Sequence, residues 1–131
     1  MQSELRHELI NYRMTKALET KVDAKLALDN DRYRTALNRI YYAIFYIVSA
    51  LSVKHDFSTS KHRQLMGWVN VNFVKTGKIS IELWKTYKNS YDRRQECDYD
   101  DFVEYDREEI ETLFDKMSDF LNSMIDNINS K

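Results

Sequence analysis

Apolar residues recur along this chain at helical spacing in five stretches, separated by short polar breaks. The first predicted helix covers 3–28, with Leu5, Leu9, Tyr12, Ala17, Ala24 and Leu28 as inward positions. Asp29-Asn30-Asp31 follows and supplies turn and N-cap chemistry. The second covers 31–54 and is the most apolar, with Leu37, Ile40, Ile44, Ile47 and Leu51 on its greasiest face. Its other side is a semi-polar stripe of Thr35, Arg39, Tyr42, Tyr46 and Ser49. A helix apolar on most sides is a central one, so that stripe must face a polar interior channel or a partner. Residues 55–60 read as a loop in which Thr59 or Ser60 caps a third helix, 61–74, with Gly77 as a left-handed stop. Ser80 reads as the N-cap of a fourth helix, 80–97, with Leu83, Trp84, Tyr87 and Tyr91 inward. An acidic connection over 98–105 leads to a fifth helix, 106–128. Its apolar stripe runs unbroken from Ile110 to Ile128, and Asp106-x-x-Glu109 resembles a capping box.

The lengths predict an all-α, up-and-down helical bundle of four to five helices over one domain, 1–131. Three long helices would form its body, and the third and fourth a shorter, bent arm. Composition agrees: there is no proline and there are two glycines among 131 residues, so helix breakers are nearly absent. A net charge of −1 gives no global field toward nucleic acid or anionic lipid, and leaves only a local basic patch to do so. The lone Cys97 excludes an intrachain disulfide and suits a reducing, cytoplasmic setting. Arg6, His7, Glu8 and Arg13 interrupt any signal-like run, and no uncharged stretch reaches the length of a membrane span, so no membrane contact is expected.

Candidate chemistry lies where charge meets the apolar pattern, because a buried charge is costly unless paired. Arg94 and Asp98 are four apart on the face continued from Leu83, Tyr87 and Tyr91. They read either as an ion pair closing a helix end or as an arginine held for a phosphate, with Asp98 and Tyr99 orienting it. Arg39 sits in a nearly all-apolar helix and needs an acceptor, for which Asp98 across the bundle is the candidate. Tyr41 and Tyr42 point to different sides, so one at most lines the same cleft. His62 reads as a capping or surface residue, although Lys61-His62-Arg63 is the best local basic cluster. His7 and His55 read as surface residues, and Trp68 and Trp84 as core or interface anchors. The Asp98-x-Asp100 run fails as a calcium loop, since Phe102 and Val103 stand where a ligand and a glycine are needed. No zinc-ligand spacing, phosphate-binding glycine loop or nucleophile elbow is present, so no metal or cofactor is expected.

Ala36-x-Asn38-Arg39-x-Tyr41-Tyr42-Ala43-x-Phe45 resembles the second helix of HEPN domains (higher eukaryotes and prokaryotes nucleotide-binding). Lys61-His62 leading to Phe73-Val74-Lys75-Thr76-Gly77 is similar to that family's middle segment. Arg94 to Phe102 resembles its R-x-x-A-D-Y signature, with Cys97 in the small-residue position. The resemblance runs from about residue 15 to 128. It implies a helical bundle, a homodimer, and pairing with a small nucleotidyltransferase encoded alongside. Many relatives so resembled are toxins that cut RNA without a metal, and others are non-catalytic binding modules. The ribonuclease members carry an arginine, four to six residues, then a histidine on one helix. Here those positions hold Cys97, Asp98 and Tyr99 after Arg93, and Asp98, Tyr99 and Asp100 after Arg94.

The expectation is therefore a non-enzymatic module that dimerises and binds a nucleotide, RNA or a nucleotidyltransferase. Its ligand-binding candidates are Arg39, Tyr42, His62, Arg94, Asp98 and Tyr99. The alternative is a metal-independent toxin ribonuclease with a composite site, to which His62 would come from another helix or subunit. A third reading has the arginine motif only stapling helices together.

Overall fold

The computed structural model describes residues 3–130 and is built from helices alone among them. They are α1 (Ser3–Asp29), α2 (Tyr33–Lys54), α3 (His62–Val69), α4 (Ile81–Tyr99) and α5 (Arg107–Asn129), with α3 running into a π-helical turn, Asn70–Val74.

Ties between helix ends set the directions. Arg6, near the start of α1, pairs with Asp56 just past the end of α2 at 2.5 Å, so these two helices run antiparallel. Arg34 at the start of α2 donates to the Cys97 carbonyl at the end of α4. Lys54 at the end of α2 donates to the Asn127 carbonyl at the end of α5, 2.8 Å away. Thus α1 and α4 run one way and α2 and α5 the other, an up-and-down bundle. Both donors also place positive charge on the exposed carbonyls of a helix C-terminus, where the dipole favours it.

The centre of the bundle is α2. Thirteen of its residues are buried, among them Ile40, Ile44, Ile47 and Leu51 with no accessible surface. It packs on α1, α4 and α5, and α3 lies against it as well. Its length and apolarity would also suit a membrane span, but 72% of its most apolar window is buried inside the bundle. Burial of most of its surface accounts for that composition.

Four features depart from expectation. Leu5 and Tyr12 are 55% and 62% exposed, because α1 is apolar on two sides and buries Ile10, Ala17, Thr20, Ala24, Ala27 and Leu28 instead. The fourth helix is no arm, since α4 packs against both α2 and α5. The capping residues at two helix starts also differ. Arg32 stands at the N-cap of α2 and Lys61 at that of α3, neither with a side-chain cap bond. Asp31 takes a left-handed φ of 56° and accepts instead from the Tyr33 hydroxyl at 3.1 Å. Thr59 accepts from the backbone of Lys61 at 3.1 Å, one residue outside the helix. Other expectations hold: Ser80 and Asp106 accept N-cap bonds from Leu83 and Glu108, and Gly77 takes φ +77° where a side chain would be strained.

Ile44 lies at the middle of α2 with no exposed surface. Ile44→Ala should lower the unfolding free energy by about 2–5 kcal/mol, read as a drop in urea midpoint at constant slope.

Candidate functional site

Helices α2, α3 and α4 converge on one guanidinium. Arg94 lies near the end of α4 with 14% of its side chain exposed. Its Nη1 donates to the Tyr42 hydroxyl at 2.9 Å, and its Nε lies 3.2 Å from an Asp98 carboxylate oxygen. The guanidinium carbon stands 5.2 Å from the centre of the Tyr41 ring and 5.4 Å from that of Tyr42. Ring faces and one carboxylate thus compensate a charge that would be costly to bury alone. Its Nη2 makes no hydrogen bond among the described residues.

His62 is the first residue of α3, and helix start plus aromatic stacking fix its ring. It stacks on Phe45 with centroids 4.5 Å apart, and lies near-parallel to Tyr41 at 5.6 Å. Its Nδ1 is hydrogen-bonded to the Tyr41 hydroxyl. Burial raises the Tyr41 phenol well above its usual range, with Arg94 opposing only in part. Burial first, then the Arg94 charge, lowers the His62 imidazole from 6.5. A phenol both donates and accepts, so this bond pairs either imidazole tautomer with the Tyr41 hydroxyl. It occupies Nδ1 and leaves Nε2 as the ring nitrogen without a hydrogen bond among the described residues.

A second tier braces α4. The Tyr91 hydroxyl accepts from Gln95 Nε2 at 2.8 Å and from Arg63 Nε at 3.3 Å, and the Arg63 bond leads in lowering its pKa. The Tyr91 ring meets Tyr41 edge-on at 5.7 Å. Arg93 points elsewhere: it pairs with Glu96 at 2.7 Å and Glu109 at 2.9 Å, tying α4 to α5.

Of the six residues expected from sequence, Tyr42 and Arg94 meet directly, Asp98 joins through Arg94, and His62 joins through Tyr41 and stands edge-on to the Tyr42 ring at 6.0 Å. Arg39 does not reach Asp98. Its Nη2 donates to the neighbouring Asn38 side chain at 2.7 Å, and its guanidinium lies 5.3 Å from the Tyr42 ring centre, at the rim of the cluster. Tyr99, the last residue of α4, is 84% exposed and stands outside. Both Tyr41 and Tyr42 line the site, where one alone was expected. His62 is a member of the aromatic cluster instead of a capping residue. Phe45, Arg63, Tyr91 and Gln95 were not foreseen. The i, i+3, i+4 spacing of 41, 42 and 45 was the available signal for Phe45. Among the described residues no group of three or more His, Cys, Asp or Glu side chains could hold a metal ion.

The HEPN domain family matches residues 10–128 of this chain. A "UPF0332 protein" of Thermotoga maritima is 40% identical over 119 residues, covering 91% of this chain and 90% of its own length. A "Putative toxin MJ0142" of Methanocaldococcus jannaschii is 33% identical over 120 residues, 91% of this chain and 82% of its own. A "Putative toxin MJ0605" of the same organism is 33% identical over 76 residues, 58% of this chain and 57% of its own.

The lowered His62 pKa makes a signed prediction. The unfolded chain takes up the proton at higher pH than the folded one, so stability from this group is full above 6.5 and is lost as pH falls through that value. His55 is shifted the same way by burial and by Lys54 and Lys78, so the variant matters. Melting temperature should fall from about pH 7 to about pH 5, and His62→Phe should flatten part of that slope. An NMR titration should find His62 below 6.5, and Arg94→Met should raise it.

Proposed function

We propose that this chain, which belongs to the HEPN domain family, works as a binding module that holds a phosphate of a nucleotide or RNA at the Arg94–His62–Tyr42 cluster. One observation carries the reading. Arg94 and His62 reach the same aromatic cradle from different helices, with no hydrogen bond at Arg94 Nη2 among the described residues. A guanidinium fork beside an imidazole suits a phosphate oxygen pair. Asp98 is 40% exposed and approaches the guanidinium from its Nε side at 3.2 Å.

The same placement favours a second reading, a metal-independent ribonuclease with a composite site. There the His62 proton would sit on Nδ1, donating to Tyr41, so that Nε2 takes up the 2′-hydroxyl proton while Arg94 stabilises the phosphorane. The binding reading is preferred because no histidine stands four to six residues after Arg93 or Arg94. Two Methanocaldococcus relatives carry toxin names, which favours a toxin-related setting. The family resemblance, separately from the site, supports a homodimer and a small nucleotidyltransferase as partners.

Labelled single-stranded RNA incubated with the purified protein should be bound and left intact. Arg94→Ala should weaken that binding by roughly ten- to a hundredfold, the size of about 1.5–3 kcal/mol for a charged hydrogen bond. Arg94-dependent cleavage would establish the ribonuclease reading instead. A lowered melting temperature with binding intact would reduce Arg94 to a helix staple.

A further inference from the structure

Apart from the Arg94 cluster, α3 and α4 flank a second cavity, of about 430 Å³. Two stripes at the same i, i+4, i+7 spacing line it: Arg63, Gly67 and Asn70 on one side, Trp84, Lys88 and Tyr91 on the other. Gly67 is the odd member. A Cβ added there would meet nothing within 4 Å, and the residue does not take the left-handed backbone that Gly77 takes. Inside an eight-residue helix, glycine is the least favourable choice short of proline. Neither packing nor backbone conformation within the chain calls for it. What it does supply is bare backbone, over which a flat group can lie in close contact. The helix also changes character at the same wall. A π-turn starts at Asn70, with the Lys75 amide donating to the Asn70 carbonyl at 2.9 Å. Such turns are rare and recur at functional positions.

Charge and shape select the occupant. Arg63 is exposed, so its guanidinium is reached from solvent. Its Nε donates to the Tyr91 hydroxyl at 3.3 Å, and neither Nη1 nor Nη2 makes a hydrogen bond among the described residues. Lys88 is paired with Asp92 at 2.8 Å, so those two charges offset each other. One uncompensated guanidinium is left, and its planar fork fits one carboxylate. A terminal phosphate would bring a second negative charge toward Asp92. The Trp84 indole, partly buried, is held by the Tyr87 ring 5.8 Å away and edge-on to it. It offers an aromatic surface beside the bare backbone of Gly67. The volume is that of a small-molecule pocket, about 300–1,000 Å³.

We propose that this cavity binds a small aromatic monocarboxylate. The ring lies over Gly67 against Trp84, and the carboxylate takes the two Nη donors of Arg63. The inference does not rest on the phosphate-binding reading of the Arg94 cluster.

The probe is naphthoate, with uncharged naphthamide as its control, titrated into isotope-labelled protein and followed by NMR. The Gly67 and Asn70 amides and the Trp84 indole N–H should shift, with naphthoate bound at least about tenfold tighter than naphthamide. Gly67→Ala should weaken naphthoate about tenfold, while its melting temperature stays at or above the parent's because alanine is the better helix former. Arg63→Gln should bring naphthoate down to the affinity of naphthamide and leave naphthamide within about twofold of the parent. This second variant carries the test should Gly67→Ala melt lower. The proposal is overturned if either variant, folded, binds naphthoate as the parent does. It is overturned equally if the shifts gather at His62 and Tyr42 instead, or if the Gly67 amide shows no saturating shift by about 5 mM naphthoate.

Discussion

Everything polar in the middle of this molecule answers to the enclosure of α2. Helices on several sides leave that helix little water, so each polar group along it must find a protein partner. The Ser52 hydroxyl donates back to the Ser49 carbonyl at 2.8 Å, and Arg39 turns onto Asn38. Tyr41 and Tyr42 reach further, one to His62 and the other to Arg94. The site is thus a by-product of satisfying α2. Two adjacent tyrosines, Tyr41 fully buried and Tyr42 partly, bring a histidine from α3 and an arginine from α4 into one aromatic cluster. A tyrosine tolerates this better than a carboxylate would, since it has a large apolar body and one polar end.

That origin also shapes the electrostatics. A carboxylate at position 41 or 42 would have formed a closed salt bridge with Arg94 and quenched it. Phenols and ring faces compensate the guanidinium more weakly, so its charge still acts outward and adds to burial, the larger cause, in lowering the His62 pKa. The one carboxylate that does approach, Asp98, is half in solvent, where an ion pair contributes little. The adjacent Arg93 takes the opposite course. Two glutamates hold it against α5, which marks it as a structural tie.

Much of this was legible in the chain. The helices fall close to where apolar spacing put them, because long amphipathic stretches without proline have few other ways to bury themselves. Charge inside the apolar pattern brought Arg94 to notice and the basic run 61–63 brought His62, and the fold places both in one aromatic cluster. What was not legible depended on helix rotation and reach. On α1, Leu5 and Tyr12 stand five residues, about 140° of helix rotation, from Ile10 and Ala17, so they belong to a second apolar side that faces away from the core. Arg39 and Asp98 were paired on type and rough position, and a side chain that long takes the nearest acceptor, here Asn38. Tyr99 shares a motif with Arg94 but is the last residue of its helix, five positions and a half-turn away, and so faces water.

The missing histidine of the one-helix ribonuclease pattern is better understood through this geometry than through spacing. An imidazole does enter the same aromatic cluster, but from α3, and its Nδ1 is hydrogen-bonded to the Tyr41 hydroxyl. That leaves Nε2 as the ring nitrogen for anything outside the cluster, and whether it donates or accepts follows from which way the proton lies between Tyr41 and His62. Holding a phosphate calls for donors and breaking its ester calls for at least one acceptor, so the binding and ribonuclease readings separate at that one hydrogen bond.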